Sequence, residues 1–411
     1  MLHEQFNIRY DPHLHRLRCN GHVLNLAANA FLFNTADEAL AAYNNPGILE
    51  AALPSEKELD AWRKKGPLGK LHNLVVHIQR TPQRRSKFSA LSHGLGLVRD
   101  NSTRWNSWKS EIDRALKPQI KEAIQRYCDR YKENEEDRLF PEDWGTLSKI
   151  KDILQAFEDA TLSTEGRKST LENVIPTMDF ILDTLETACE THQNDPFLGP
   201  CCNSSWAKMN EYYSKTEHIP VYIAAIVLHP GQKWSYFEEN WSHHPEWITD
   251  AKDKVREFWE TSYKSKESAP RQEPSVSSSD ARELRNTFRA WEKARKRARI
   301  PGDEYTRYCT AEVVDDVADS RDWWQEPTQQ LNYPNLSIMA LDILSIPAMA
   351  AEPERLFSGA KISITDRRNR LGIEVIQALE CLKSWLQLEA TEWGESLLVG
   401  GWKFKDRTTE K

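Results

Sequence analysis

Between Leu331 and Leu386 the chain reads LNYPNLSIMALDILSIPAMAAEPERLFSGAKISITDRRNRLGIEVIQALECLKSWL. Its final segment sets the architecture of this end. From Ile373 to Leu386, the residues Val375, Leu379, Leu382 and Leu386 fall along one stripe at helical spacing, flanked by Ile376 and Trp385. Glu374, Gln377, Glu380 and Ser384 line the opposite face. That pattern predicts an amphipathic helix whose apolar side packs on the chain's own core or on a second molecule. Upstream, Pro353 suits the first turn of a helix, so Glu352 and Glu354 sit near a helix N-terminus, where the dipole favours negative charge. Capping alone accounts for a glutamate at that place.

Working outward, helix-period patterns dominate and strand patterns are scarce. From Trp144 to Phe157 the apolar positions 147, 150, 153, 154 and 157 follow the acidic start Glu142-Asp143, which predicts an amphipathic helix. Leu171, Val174, Ile175, Met178, Ile181, Leu182 and Leu185 repeat the pattern, with Ser169 or Thr170 as N-cap and a kink expected at Pro176. Two consecutive helices of this kind pack on each other. The stretch from Lys264 to Asp280 lacks apolar residues to bury and reads as a disordered loop inside a helical region. Fifteen tryptophans are many for this length, and positions such as Trp241, Trp247 and Trp259 are spaced as helix-core anchors.

Composition narrows the function classes. The 411 residues suffice for two or three structural units, with 28% charged and 39% hydrophobic residues, and no apolar run reaches the ~20 residues of a membrane span. The polar start after Met1 carries no secretory signal, and the seven scattered cysteines give no disulfide framework, which points to a reducing compartment. A net charge of -7 argues against nucleic-acid binding over the whole surface. Two basic patches stand out: Arg80, Arg84, Arg85 and Lys87, and then Lys293, Arg295, Lys296, Arg297 and Arg299. Each reads either as a solvated helix face or as a phosphate-contacting or import signal, the second being the better import candidate. Neither GPLGK at 66–70 nor GLGLVR at 94–99 has the spacing of a nucleotide-binding loop. Cys19 and His22 have a spacing that offers two zinc ligands where tetrahedral zinc wants four. The expectation there is a strand end turning into a helix from Val23 to Phe33, with a buried Cys, a locally bonded His and no metal.

The elements Tyr333–Ala348 (YPNLSIMALDILSIPA), ERLFS at 354–358, RNRL at 368–371 and ECLKSWL at 380–386 resemble, in order, the C-terminal dimerisation region of hAT-superfamily DNA transposases. RLRCNGHVLNL at 16–26 is similar to the RCxxHxLNL element of that family. LVRDNSTRWNSW at 97–108 resembles its TRWNS element, and KMNEYYSKTEHIPVYIAAIVLHPGQKWSYFEENW at 208–241 looks like the helical insertion region of its fungal members. The resemblance implies that Arg104 and Trp105 handle DNA, guanidinium on phosphate and indole on an unpaired base. It makes Glu354 the third of three catalytic carboxylates. A two-magnesium nuclease site needs all three. Asp11 and Asp100 are not in the contexts the family uses for the first two, so Glu354 is expected to be inactive alone and the chain is not expected to be an independent enzyme.

The expected fold is therefore mostly α: a large helical insertion region plus an incomplete RNase-H-like α/β remnant formed by the N-terminal strand and C-terminal helices. The expected domains are residues 1–35 (RNase-H-like remnant), 36–325 (helical insertion with a disordered loop at 264–280), 326–390 (C-terminal dimerisation region) and 391–411 (tail). The expected function is that of a nuclear, transposase-derived protein acting through dimerisation by Val375, Ile376, Leu379, Leu382, Trp385 and Leu386. Its partners would be itself or related transposases, with DNA as a further partner and no membrane. No cofactor is expected, magnesium entering only with the remaining catalytic half. Two other readings stay open: a fragment of an active transposase, and a domesticated DNA-binding regulator.

Overall fold

A computed structural model of the chain describes residues 16–33, 62–99, 105–166, 169–217, 219–264 and 303–350, together with 374, 375, 377 and 378. The chain divides into two units, Met1–Met349 and Ala350–Lys411. Among the described residues the first unit is helical: α1 (Asn20–Phe33), α2 (Gly66–Gln79), α3 (Pro82–Leu91), α4 (Trp105–Ala115), α5 (Pro118–Arg130), α6 (Pro141–Thr164), α7 (Val174–Thr191) and α8 (Leu198–Glu217). It continues with α9 (Pro220–Val227), α10 (Ser235–Asn240), α11 (Pro245–Ser262), α12 (Glu304–Thr310), α13 (Ser320–Gln325), α14 (Pro327–Asn332) and α15 (Pro334–Leu344). Proline opens seven of these, at 82, 118, 141, 220, 245, 327 and 334. Its missing N–H costs nothing at that position and its fixed φ presets the first turn.

The core is built around α1. Val23, Leu24, Ala27, Ala28, Ala30, Phe31, Leu32 and Phe33 are all buried, so this helix is covered nearly all round. It lies against α8, α6 and α4, and Ser205 of α8 donates its hydroxyl to the Ala27 carbonyl at 2.9 Å. The two helices expected from periodicity are present and packed together as α6 and α7. Asp143, in the acidic start of α6, accepts the Phe140 N–H at 2.9 Å and the Lys70 ammonium at 3.0 Å.

Several expectations are corrected. α7 has no kink at Pro176, because that residue lies in the first helical turn, where no N–H partner is lost. Neither Ser169 nor Thr170 caps it: a 3-10 turn, Leu171–Asn173, intervenes, and Thr170 pairs instead with Pro347 in an isolated antiparallel bridge. No strand is present among the described residues, and residues 16–19 form none. The Arg18 backbone is occupied by the Tyr222 hydroxyl, which accepts its N–H at 2.7 Å and donates to its carbonyl at 3.2 Å. The helix that follows starts at Asn20 rather than Val23. Cys19 is half-buried and His22 exposed, so the buried cysteine expected there is not found.

Trp105, Trp108, Trp144, Trp234, Trp241, Trp259 and Trp324 are buried, which matches the reading of the tryptophans as core anchors. Trp247 instead remains 37% exposed and stacks on His244 at 4.1 Å. Of the 264–280 loop only Lys264 is described; it bonds Asp303 and Glu260, both at 3.1 Å. The basic patch at 293–299 lies outside the described residues, as do Asp11 and Asp100.

The interface of α2 with α5 places His77 beside Tyr127, with Arg84 and Glu133 nearby. Burial first, then the Arg84 charge, push His77 down from its ordinary 6.5 to about 4. Glu133, 3.7 Å away, opposes this, but it is largely solvent-exposed and shared with Arg84 at 3.2 Å. The unfolded imidazole therefore binds more protons than the folded one between about 4 and 6.5, so stability drops as pH falls through that window and levels off below it. In urea unfolding at neutral pH and again near pH 5, His77→Gln should lose less stability on acidification than the native chain. An equal loss in both would contradict the assignment.

Candidate functional site

The described first part of the C-terminal region consists of α12 to α15, and its helix ends are satisfied by residues distant in sequence. α15 begins after Tyr333, whose side chain makes no cap bond. The cap comes from Glu304: its Oε2 accepts the N–H groups of Asn335 at 2.9 Å and Leu336 at 2.8 Å. α12 is capped by Asp303, whose Oδ1 accepts the Thr306 N–H at 2.9 Å and hydroxyl at 2.8 Å. Burial opposes ionisation of Asp303, but these bonds and the Lys264 ammonium outweigh it and hold the carboxyl well below its usual range. Past the other end of α12, Lys233, buried and at φ 51°, points its ammonium at the carbonyls of Tyr308 (3.1 Å), Ala311 (2.9 Å) and Glu312 (2.8 Å). Burial pushes this lysine below its ordinary value.

Aromatic packing fixes the same helices. Trp324 is fully buried and donates its indole N–H to the Leu228 carbonyl at the end of α9, at 2.7 Å. Tyr308 lies 4.9 Å from it and Tyr333 closes the group edge-on at 6.0 Å. α15 buries Leu336, Met339, Ala340, Ile343 and Leu344. The apolar face of this element is thus spent on its own chain.

After α15 the SIPA segment runs as a strap. The Leu171 N–H donates to the Ile346 carbonyl (3.1 Å), the Ala348 N–H to the Ser169 carbonyl (3.2 Å), and the Asn20 N–H to the Ala348 carbonyl (3.0 Å). The Asn20 amide donates to the Thr177 hydroxyl at 2.9 Å, and both residues are buried. A Cβ at Gly21 would meet the Met349 side chain at 2.0 Å, so the RCNGH and SIPA elements touch directly. Close by, Ser320 donates to Glu172 at 2.6 Å and ties α13 to the same turn. Asn20, Thr177, Tyr222, Glu304 and Trp324 escaped the sequence reading, since each acts on backbone far away along the chain and no local spacing marks that role.

Glu354, Arg104, Ile376, Leu379, Leu382, Trp385 and Leu386 lie outside the described residues. Val375 is 48% exposed. Trp105 is 3% exposed, its ring 6.0 Å from that of Phe157, and its backbone N–H donates to the Asn25 side-chain oxygen at 3.5 Å. Stacking on a base would require that indole to leave the core. No group of three metal-ligating side chains is found among the described residues, Cys19 and His22 included. Burial pushes the thiols of Cys128 and Cys309 up to about 11 and those of Cys201 and Cys202 to about 12, so none of the four is a ready nucleophile.

Residues 304–386 match the family described as the hAT family C-terminal dimerisation region. The boundary falls at Glu304, the capping residue of α15. The similarity is to the hAT superfamily. It is 24% identical, over 90% of its length and 41% of the relative's, to a protein of Talaromyces stipitatus named as the putative transcriptional regulator tpeD. It is 22% identical to the putative AC transposase of Zea mays, over 78% of this chain and 41% of that one. It is 23% identical to human zinc finger BED domain-containing protein 4, over 77% of this chain and 27% of that one. The chain thus spans less than half the length of these curated relatives.

The junction of strap and α1 makes a testable pair. Asn20→Ala removes a buried side-chain bond and should cost about 1–3 kcal/mol in denaturant unfolding. Combined with Thr177→Val in a double-mutant cycle, the two effects should fall short of additivity by ~0.5 kcal/mol or more. Strict additivity would mean that the Asn20–Thr177 bond contributes nothing.

Proposed function

We propose that the chain is a transposase-derived protein that acts through self-association, or association with related transposases, using its C-terminal region, in the nucleus and without phosphodiester chemistry of its own. The observation that carries this reading is the match of residues 304–386 to a dimerisation region whose described first part is already packed into the chain's own core. An interface then falls to the segment after Met349, where Glu374, Val375, Gln377 and Ala378 form an exposed helical turn in the amphipathic sequence Ile373–Leu386. The touch between the RCNGH and SIPA elements supports a remnant of an RNase-H-like unit assembled from the two ends. Within these 411 residues the resemblance assigns one catalytic carboxylate, Glu354, where a two-metal site needs three. No described helix is long and apolar enough to cross a membrane.

Light scattering on the purified chain tests the self-association. The native chain should be dimeric at micromolar concentration, and Leu379→Asp or Leu382→Asp should shift it to monomer without altering its helical circular dichroism. A native chain that stays monomeric throughout that range would remove the proposal.

Two alternatives each have one observation in favour. Alignment of most of this chain with only part of a putative transposase favours a piece of an active enzyme. That reading requires magnesium-dependent strand cleavage once the remaining half is supplied, abolished by Glu354→Gln. Alignment of 90% of the chain with a putative transcriptional regulator favours a DNA-binding regulator.

A further inference from the structure

Charge along the chain is strongly uneven. Residues 61–99 contain nine Lys or Arg and no Asp or Glu, within a chain of net charge -7. Part of that positive charge is used internally. Arg63 bonds Glu136 at 2.6 Å and Asp137 at 3.0 Å, Lys70 bonds Asp143 at 3.0 Å, and Arg84 bonds Glu133 at 3.2 Å. Lys65 lies over the Phe33 and Trp62 rings at 4.7 and 5.3 Å. What remains is Lys64, Arg80, Arg85, Lys87 and Arg99, none within ion-pair distance of a carboxylate among the described residues. Further described cations without a carboxylate partner, Arg114, Lys117, Lys121 and Arg130, follow on α4, α5 and the turn between them. From Arg138 onward, by contrast, every described lysine and arginine is tied to a carboxylate or a backbone carbonyl, as Lys149 is to Asp195 (3.7 Å) and Lys252 to Glu238 (2.8 Å).

Four of the five remaining cations lie on α3 or the segments joined to it. α3 is a ten-residue helix that buries one side chain, Phe88, and is capped by the Thr81 hydroxyl on the Arg84 N–H at 3.2 Å. Arg84 and Lys87, three residues apart on α3, lie on one side of it, and Arg80 sits at the end of α2, just before the extended Thr81 that opens α3. Arg85 and Lys87 are exposed, and the Lys87 ammonium rests 4.6 Å from the Tyr131 ring, which fixes its stem while leaving the charge in solvent. The positive field reaches inward: Arg84 and Arg80 both help hold His77 in its neutral form.

We propose that α3 and the turns on either side form a nucleic-acid backbone-contacting surface, with Arg80, Arg85, Lys87 and Arg99 meeting duplex phosphates. A polyanion fits this face better than an acidic protein does. Beyond its cations α3 presents Pro82, Gln83, Ser86 and Ala90, and the large apolar side chain exposed in the turns beside it is Leu95, at 37%, little to anchor a protein interface, whereas phosphate contacts need only clustered cations. The surface is distinct from Arg104 and Trp105, and its function does not depend on whether the C-terminal region self-associates.

The test is fluorescence anisotropy of the full chain with a labelled mixed-sequence duplex of about 20 base pairs, titrated with salt from about 0.05 to 0.2 M. The triple variant Arg80→Gln, Arg85→Gln, Lys87→Gln should bind about tenfold or more weaker, with the slope of log K against log salt reduced by about 2–3. The control Lys149→Gln, Lys252→Gln, which removes two paired cations, should leave affinity within about twofold. Circular dichroism checks that both fold. Unchanged affinity and slope in the triple variant would overturn the proposal, as would an equal loss in the control. So would preferential binding of the native chain to polyglutamate, which would assign the face to an acidic protein. Light scattering on the same samples reports self-association separately.

Discussion

Three backbone hydrogen bonds hold the strap of Ile346 to Ala348, and the arrangement of the first unit depends on them. One side of the strap pairs with Ser169 and Leu171, the other with Asn20 at the start of α1. Each bond is worth only ~0.5–1.5 kcal/mol net, but all involve backbone groups that would otherwise be shut away from water unpaired. Because they join positions near 20, 170 and 347, they set where the central helix begins and where the C-terminal helices end. Asn20 contributes twice, through its backbone to the strap and through its side chain to Thr177.

The same logic governs the helices before the strap. α12, α13 and α14 are six or seven residues long, too short to be stable alone. They persist because each is tied to its surroundings: Lys233 gathers the carbonyls after α12, Glu304 of α12 caps α15, and Trp324 of α13 takes up the Leu228 carbonyl that ends α9. A region that matches a dimerisation family therefore begins as part of an intramolecular core. Its apolar content up to Leu344 says little about a partner, since those side chains are already covered.

The hAT character of the chain was legible from short ordered elements, and so was its helical class, because amphipathic periods of the kind seen in α6 and α7 are local properties. The tryptophans at 241 and 259 were also readable as core anchors from their helical spacing. The strand end expected before α1 is not found at residues 16–19: the Tyr222 hydroxyl satisfies the Arg18 backbone, and with that donor and acceptor occupied no neighbouring strand is needed. For Trp105 the sequence left the burial illegible. Its place beside an arginine in the TRWNS element implied an indole offered to DNA, whereas packing against Phe157 buries it.

The sequence by itself determined the family resemblance, the helical class and the uneven charge, because each is carried by residue identity and spacing over short range. Tertiary structure alone decided which cations remain unpaired, which apolar faces are already covered, and which distant residues complete the helix ends. Those outcomes depend on groups tens to hundreds of positions apart meeting within about 3 Å, a distance that no local pattern encodes.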